Sequence, residues 1–365
     1  MAPTLTSHPI LWVVRPTGLG DLLMSVPALR AVRRSFPDHE LLTTCPSSLV
    51  PLAERVGVVD RFVTEIGPGQ SAVDPADPAD HRRVGADTLD ALFAEPARPD
   101  VVVVLKMPEE DVDRRIRHRH PRLHIAFAVQ DPLNGGGSDG GVARARRGRQ
   151  PDAERRPRYQ EDRHVLARWE GLLEPYGISP DRAELTLDVG VATVPADVGD
   201  TVVHVGSGSP TRRWPVERWA AVAAALHRDG RRVVFTGSGG EGSLVAAAVR
   251  RAGLPAGADR SGTDVLDLAR TIARAGLVLG VDSGVAHLAT VLRRRAVTLF
   301  GPTPPAWWGP PPGDDRHRVV WTGRRGDAYG SAPDPGLLEI TVDDVLSAVS
   351  APWPAPPAGP APRGP

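Results

Sequence analysis

A glycine-rich turn near the start of the chain combines residues that can approach an anion. The segment Gly18-Leu-Gly20-Asp21 follows an apolar run at 10–14 and precedes an apolar pattern of helical spacing at 22–35. Backbone N–H groups of such a turn can bind an anion at the start of a helix. The spacing matches neither the GxGxxG dinucleotide fingerprint nor a P-loop. Asp21 lies at the predicted helix start, where its carboxylate can either cap the helix or face a ligand as a general base.

A second turn-rich segment, at 206–215, follows another apolar run and carries hydroxyl groups and two adjacent arginines. Its candidate ligands for a diphosphate are Ser207, Gly208, Arg212 and Arg213. Guanidinium groups bind phosphate oxygens in a bidentate manner, and exposed backbone N–H groups add further donors. The alternative is a solvated loop in which Trp214 packs onto the domain.

A third segment, at 280–287, also follows a predicted strand and opens a predicted helix. Ser283 and Gly284 can present N–H groups to a phosphate at the helix N-terminus, and His287 lies about one turn further along. Asp282 can serve a ligand or cap the helix, and a single histidine in a helix is often structural. The segment therefore predicts an anion site and leaves the roles of Asp282 and His287 open.

Several other chemistries have no matching pattern. There is no HExxH and no cluster of His, Asp and Glu at the spacing typical of a metal site, so we predict no metal and no cofactor. His118, His120 and His124 lie in an arginine-rich stretch and are expected at the surface. No GxSxG nucleophile elbow is present. Cys45 is the single cysteine, which excludes an internal disulfide and a cysteine-based zinc cluster.

The elements that carry these segments alternate between strand and helix. The main predicted strands lie at 10–14, 40–44, 101–105, 201–205, 232–236, 277–281 and 296–300. This alternation predicts parallel sheets covered by helices, and ligands of open parallel sheets bind beyond the carboxyl ends of the strands. A length of 365 residues suits two domains. We expect an N-terminal domain at 1–190, a linker at 191–200, a C-terminal domain at 201–350 and a disordered tail at 351–365.

The composition argues against several classes of protein. Lys plus Arg and Asp plus Glu both number 44, so the net charge is zero and a general nucleic-acid partner is not expected. No run is long and apolar enough for a transmembrane helix, and no signal peptide is seen, so we expect a cytoplasmic protein. The Gly- and Arg-rich segment at 135–158 is expected to be a mobile surface loop. The alternative is a basic arm that contacts the inner face of the cell membrane.

Four motifs in order resemble glycosyltransferase family 9, typified by the ADP-heptose:lipopolysaccharide heptosyltransferases of bacterial cell-envelope synthesis. They are Arg15-x-x-Gly-x-Gly-Asp-x-x-x-x-x-Pro-Ala-Leu29, Arg212-Arg-Trp-Pro-x-Glu-x-Trp219, Asp282-Ser-Gly-x-x-His-Leu-Ala289 and Phe300-Gly-Pro-Thr303. The resemblance spans roughly 10–345. Two positions depart from the family pattern, because Arg212 stands where the family usually has Lys and Val285 where it has Pro.

The resemblance implies an α/β fold of GT-B architecture, in which two Rossmann-like domains face each other across a cleft. The N-terminal domain, with the loop of Gly18 and Gly20, would bind the acceptor, and the C-terminal domain the nucleotide-sugar. The implied mechanism is inverting and metal-independent, with Asp21 as the general base. The residues implied to hold the donor and its diphosphate are Ser207, Gly208, Arg212, Arg213, Asp282, Ser283, Gly284 and His287.

The implied function is transfer of a heptose, or another sugar, from an ADP-activated or other nucleotide donor. The acceptor would be a hydroxyl group of a glycan, a glycolipid or a small molecule. Two alternatives remain at this point. One is a non-catalytic nucleotide-sugar-binding or scaffold protein on the same fold, and the other is a GT-B sugar-nucleotide epimerase. The oligomeric state is not predicted.

Overall fold

The computed structural model describes residues 9–14, 18–64, 99–106, 108–118, 120–129, 155–192, 194–195 and 198–353. Most of the predicted loop at 135–158 and of the predicted tail at 351–365 lies outside the described residues. The chain divides into two compact units. The first comprises Met1–Val191 with Asp264–Arg270 and Ala306–Trp308, and the second comprises Ala192–Thr263, Thr271–Pro305 and Gly309–Pro365.

The first unit contains a five-stranded sheet in which every pair of neighbours is parallel. Its strands are β1 (Ile10–Val14), β2 (Glu40–Thr44), β3 (Arg61–Val63), β4 (Val101–Val104) and β5 (Leu123–Ile125). The order is β3-β2-β1-β4-β5, so the direction of winding changes between β1 and β4. The helices described in this part of the chain are α1 (Leu19–Met24), α2 (Val26–Ser35), α3 (Val50–Ala53), α4 (Glu110–His118) and α5 (Val165–Leu173).

The second unit contains another all-parallel sheet of five strands. They are β6 (Asp200–His204), β7 (Val233–Thr236), β8 (Ala275–Val281), β9 (Ala296–Leu299) and β10 (His317–Val320). The order β10-β9-β8-β6-β7 changes direction between β6 and β8. The helices of the C-terminal half are α6 (Val216–Arg228), α7 (Gly242–Arg251), α8 (Val265–Ala273), α9 (Gly284–Val291), α10 (Pro305–Trp308), α11 (Pro335–Glu339) and α12 (Val342–Ser350).

The central strands of each sheet are buried, as expected for a doubly wound parallel sheet whose strands are apolar runs. β8 is buried along all seven of its residues, and β1 along all five. Large side chains fill both cores, with Trp12 in the first unit and Trp219 and Phe235 in the second almost fully buried. The buried strands therefore form the core of each unit, and the loops at their carboxyl ends can carry functional residues.

The predicted continuous helix at 22–35 is two helices instead. α1 ends at Met24, and α2 begins at Val26 with a proline in its first turn. Pro27 has no N–H to donate, and its ring disfavours a continued helix. The Ser25 hydroxyl donates to the Leu22 carbonyl at 2.7 Å, which satisfies a carbonyl near the end of α1.

Two expectations about surface residues are wrong. His124 lies in β5 with 1% of its side chain exposed, and Arg156, assigned to the mobile loop, has 4% exposed. Arg156 donates to Asp113 Oδ1 at 2.6 Å and to His124 Nδ1 at 2.7 Å. Asp113 is also paired with Arg117 on the same helix, α4. Polar residues in a charged run can therefore be buried when they pair with each other.

Replacing Arg156 by Met is expected to lower the free energy of unfolding by about 3 kcal/mol. This is the lower end of the range for breaking a buried ion pair, because Asp113 keeps its contact with Arg117. Urea unfolding followed by circular dichroism measures the effect. Arg158→Met is the matched control, since Arg158 is exposed and only two residues away. Equal stability of the two variants would contradict the buried pairing.

Candidate active site

The second unit brings two of the predicted loops together at the point where its strand order changes. β6 and β8 are neighbours, so the loop that follows His204 and the loop that follows Val281 leave the same edge of the sheet side by side. Open α/β sheets bind ligands in the crevice at such a switch point. This position is the candidate donor site of the second unit.

A charged pair joins the two loops. Arg212 Nη1 lies 3.4 Å from Asp282 Oδ2, although the residues are 70 positions apart in the chain. Asp282 is almost fully buried, and burial raises the pKa of its carboxyl, an effect that the Arg212 guanidinium partly offsets. Arg212 Nε is buried and has no hydrogen-bond partner among the described residues. The Arg212 guanidinium therefore still has an N–H group that can donate a hydrogen bond to a ligand after it has paired with Asp282.

The start of α9 supplies a further donor beside this pair. Ser283 is the N-cap residue of α9, but its side chain accepts no capping hydrogen bond. Its Oγ is buried without a partner in the part of the chain that the structure describes. Ser283 caps the helix through its backbone, so the interpretation of Asp282 as the helix cap is wrong. His287 is buried on α9.

The loop after β6 is held by hydroxyl groups. The hydroxyls of Ser209 and Thr211 are hydrogen-bonded to each other at 2.7 Å. Each lies 3.2 Å from the carbonyl oxygen of Ala328, which accepts from the hydroxyl that does not donate to the other. The Asp334 N–H donates to the Thr211 carbonyl at 2.9 Å. These contacts position the short 3-10 turn Pro210–Arg212, which ends in the arginine of the charged pair.

The remaining candidates of this loop differ in accessibility. Gly208 and Arg213 are exposed, and no atom lies within 4 Å of a side chain placed at Gly208. Trp214 is buried instead, donates from Nε1 to the Ile340 carbonyl at 3.1 Å and packs edge-on against Trp219. The packing of Trp214 onto the domain, part of the alternative interpretation, is thus confirmed. The rest of that interpretation is wrong, because only Gly208 and Arg213 of the segment 206–215 are exposed and the segment is not a solvated loop.

Sequence reasoning missed Glu241. Its Oε1 accepts from the Ser207 N–H at 3.0 Å, and its Oε2 accepts from the N–H and the hydroxyl of Ser238 at 2.8 Å. A side chain at Gly206 would collide with this carboxylate, so the glycine makes room for it. The Ser207 N–H is thereby engaged within the protein. The sequence feature that could have identified Glu241 is its position in a glycine-rich turn that directly follows β7.

In the first unit, the Gly18–Asp21 turn lies at the carboxyl end of β1. Gly18 is the N-cap residue of α1 and Asp21 is the third residue of the helix, so the interpretation of Asp21 as the cap is wrong. A side chain at Gly18 would lie 3.1 Å from Asp21 Oδ2, which shows that the carboxylate turns back over this glycine. Gly20 lies between them in the first turn. Arg15 of the resembling motif is outside the described residues.

The described residues contain no group of three or more His, Cys, Asp or Glu side chains placed to hold a metal ion. They also contain no helix with the length and apolar character needed to cross a membrane.

The C-terminal part of the chain matches a known family. Residues 179–329 match the model described as glycosyltransferase family 9 (heptosyltransferase). The match includes the three motifs at 212–219, 282–289 and 300–303, so the resemblance is confirmed for this part of the chain. No curated protein matches the chain.

Solved structures of low sequence identity share the fold over nearly the whole chain. The ADP-heptose lps heptosyltransferase II of E. coli is 17% identical with a TM-score of 0.63, over 94% of this chain and 98% of that chain. A glycosyl transferase family 9 protein of Veillonella parvula is 20% identical with a TM-score of 0.64, over 94% and 97%. The predicted α/β fold class is therefore confirmed, and each unit has the doubly wound parallel sheet expected of a GT-B domain.

A third similar structure also covers most of this chain. TibC, a dodecameric glycosyltransferase of E. coli, is described as iron-containing. It is 16% identical with a TM-score of 0.54, over 94% of this chain and 76% of that chain.

Proposed function

We propose, from the premise that residues 179–329 belong to glycosyltransferase family 9, that the chain transfers a sugar from a nucleotide donor to an acceptor hydroxyl. The sugar proposed first is a heptose and the nucleotide ADP, because ADP-heptose is the donor named for the E. coli heptosyltransferase that the chain resembles. The observation that carries the proposal is the pair of buried, unpartnered donors, Arg212 Nε and Ser283 Oγ, at the switch point of the second unit.

The donor diphosphate is proposed to bind between the loop of Arg212 and the start of α9. Arg212 would supply a fork of N–H donors, and Ser283 and Gly284 would supply the N-terminus of a helix. Asp282 would hold the Arg212 guanidinium in place for this contact. Gly208 and Arg213 would flank the phosphates from the exposed side, and Ser207 and His287 would complete the pocket.

The proposed chemistry is a single displacement with inversion at the anomeric carbon. The acceptor oxygen forms a bond to this carbon while the bond from the carbon to the diphosphate oxygen breaks. The Asp21 carboxylate takes the hydroxyl proton, and ADP leaves with an added negative charge. Donors that are already oriented toward the diphosphate stabilise this charge as it develops. In this proposal Arg212 and the helix N-terminus take the place that a divalent cation has in metal-dependent transferases.

The acceptor is proposed to bind the first unit, which carries Asp21. A hydroxyl of a glycan, a glycolipid or a small molecule would suit this chemistry. Action on a glycolipid would place the protein at the cytoplasmic face of a membrane, and the Gly/Arg-rich segment at 135–158 would be its candidate contact with anionic lipid.

Thermal unfolding with ADP, UDP, GDP, dTDP and CDP tests the proposed donor. ADP is expected to stabilise the protein selectively, by about 2.7 kcal/mol when its concentration is a hundred times its dissociation constant. The shift should be the same with and without EDTA. Selective stabilisation by another nucleotide would contradict the ADP assignment, and a shift that EDTA abolishes would contradict metal-independent binding. Absence of any shift would contradict a nucleotide site.

A further inference from the structure

Arginines are concentrated at the amino end of the second sheet, which is the end opposite to the donor loops. Four of its five strands directly follow an arginine, namely Arg232, Arg274, Arg295 and Arg316. The three residues before each strand include seven arginines and three aspartates, although the whole chain has a net charge of zero. The same positions of the first sheet contain two arginines and three aspartates. The positive charge is therefore a property of this sheet and not of parallel sheets in general.

The parallel pairing of the strands places these arginines in one row. The carbonyls of Arg232, Arg295 and Arg316 accept from N–H groups of the neighbouring strands at 2.8–2.9 Å, so the residues lie side by side. Neighbouring strands are about 4.8 Å apart, which gives the row a length of roughly 20 Å from β10 to β7. A row of this length can contact several anionic groups at once.

Three exposed arginines of this row have no partner within the described part of the chain. The side chains of Arg231, Arg274 and Arg293 form no ion pair and no hydrogen bond with another described residue. They directly precede β7 and β8 or lie within three residues of β9. Their guanidinium groups can therefore bind anions outside the protein.

Ion pairs neutralise only part of the remaining charge. Arg232 pairs with Asp200, and Arg316 pairs with Asp314 at 2.7 Å. Burial lowers the pKa of Arg294, and the nearby Arg316 lowers it further. Cations of the row are thus close enough to repel each other, and an external anion would relieve this repulsion.

An exposed apolar side chain lies at the same edge. Val198 is 71% exposed and is followed by Gly199, where a side chain would lie 2.6 Å from the Arg274 carbonyl oxygen. Arg294 Nη1 donates to the Val194 carbonyl at 2.8 Å and so holds the preceding segment at this edge. Apolar side chains enter the headgroup region of a bilayer while neighbouring cations bind its phosphates. A nucleic-acid backbone would use the cations but not the valine.

We propose that this surface binds a bilayer that contains anionic phospholipids. We call it the arginine edge and define it by Arg231, Arg274, Arg293 and Val198. The arginines contact lipid phosphates, and Val198 enters the headgroup region. The donor loops lie at the other end of the same strands, so the contact leaves them accessible to a nucleotide. The inference goes beyond the proposed function, does not depend on it, and concerns a different surface from the segment at 135–158.

Co-sedimentation of the full chain with lipid vesicles tests the proposal. The probe is vesicles of phosphatidylcholine with phosphatidylglycerol, and vesicles of phosphatidylcholine alone are the comparison. We expect binding to the anionic vesicles only, and added sodium chloride should weaken it by screening the attraction. Arg274→Gln should weaken binding about fivefold, and its combination with Arg231→Gln and Arg293→Gln about 100-fold, because each arginine near an anionic surface contributes a factor of about five.

Val198→Thr tests the apolar part of the contact. It replaces one methyl group by a hydroxyl at an exposed position, so it should leave the fold unchanged. The loss of one buried methyl group should weaken vesicle binding about fourfold. The same substitution should have no effect on binding that depends on charge alone.

Arg260→Gln is the matched control for the arginine variants. Arg260 is exposed, and its backbone N–H donates to the Phe235 carbonyl at 2.8 Å, near the carboxyl end of β7. Its replacement should leave vesicle binding unchanged. A second comparison replaces by Gln four arginines of the segment at 135–158, namely Arg144, Arg146, Arg147 and Arg149. Thermal unfolding without ligand reports whether each variant is folded.

Several outcomes would overturn the proposal. One is absence of vesicle binding, and another is equal binding by the triple variant and the unmodified chain. If binding is lost only in the variant of the segment at 135–158, the membrane contact belongs to that segment. Binding of single-stranded RNA that falls in the triple variant, without vesicle binding, would make nucleic acid the partner. In each case stabilisation by ADP would leave the proposed transferase function standing, and vesicle binding without it would support the arginine edge alone.

Discussion

Replacing Asp21 by Asn should slow sugar transfer by about 10²–10⁴-fold, the usual contribution of a positioned general base. The amide keeps the size of the side chain, and Gly18 leaves the same room for it, but it cannot take a proton from the acceptor hydroxyl. The rate is measured as ADP release from ADP-heptose in the presence of an acceptor. ADP affinity should remain unchanged, because the donor residues lie in the other unit of the chain.

Asp38→Asn is the control for Asp21→Asn. Asp38 is an exposed carboxylate in the turn that precedes β2, so its loss should leave the transfer rate unchanged. If Asp21→Asn retained full activity, the assignment of the base would be wrong. A loss of ADP binding in this variant would show that Asp21 acts through the structure and not through proton transfer. A chain that bound ADP but never turned it over, with or without Asp21, would favour the non-catalytic alternative.

Replacing Arg212 by Met should weaken ADP binding by about 10- to 100-fold. Hydrogen bonds that involve a charged group contribute about 1.5–3 kcal/mol, which corresponds to this loss in affinity. Arg212→Lys should retain most of the affinity for ADP, because an ammonium group keeps the positive charge. Some affinity should be lost, because lysine lacks the fork of N–H donors that arginine has. Titration calorimetry with ADP measures both variants. The order of affinities, with Arg first, Lys second and Met last, is the specific prediction.

Arg228→Met serves as the control for these variants. Arg228 is exposed in the last turn of α6 and contributes no atom to the candidate site. Its replacement should leave ADP affinity unchanged. Equal affinity of Arg212→Met and the unmodified chain would remove Arg212 from the donor site. Thermal unfolding should accompany the measurement, because Arg212→Met also leaves the Asp282 carboxylate buried without its cationic partner.

Strands with strong apolar runs were predictable from the sequence. β1, β2 and β6 begin and end within about a residue of their predicted limits, because branched apolar side chains suit a buried parallel strand. The short strands β3, β5 and β10 were not predicted. They are three or four residues long and contain Arg61, His124 and Arg318, so their extended state depends on pairing with a neighbouring strand.

The burial of polar residues could not be predicted from composition. Arg156 lies in a segment dominated by glycine and arginine, which is typical of a solvated loop. Its side chain is buried because Asp113, 43 residues earlier, and His124 in β5 supply the acceptors that a buried guanidinium needs. Such partners are brought together only by folding.

By itself, the sequence determined the alternation of strands and helices and the order of the four motifs along the chain. These features depend on local composition and spacing, and they were sufficient to predict the fold class and the loops that carry the candidate site. The tertiary structure decided which polar groups meet. Arg212 pairs with Asp282 because β6 and β8 are neighbours in the sheet, although 70 residues separate the two side chains. Glu241 contacts the Ser207 N–H for the same reason, since β7 lies beside β6 and the carboxyl ends of parallel strands meet at one edge.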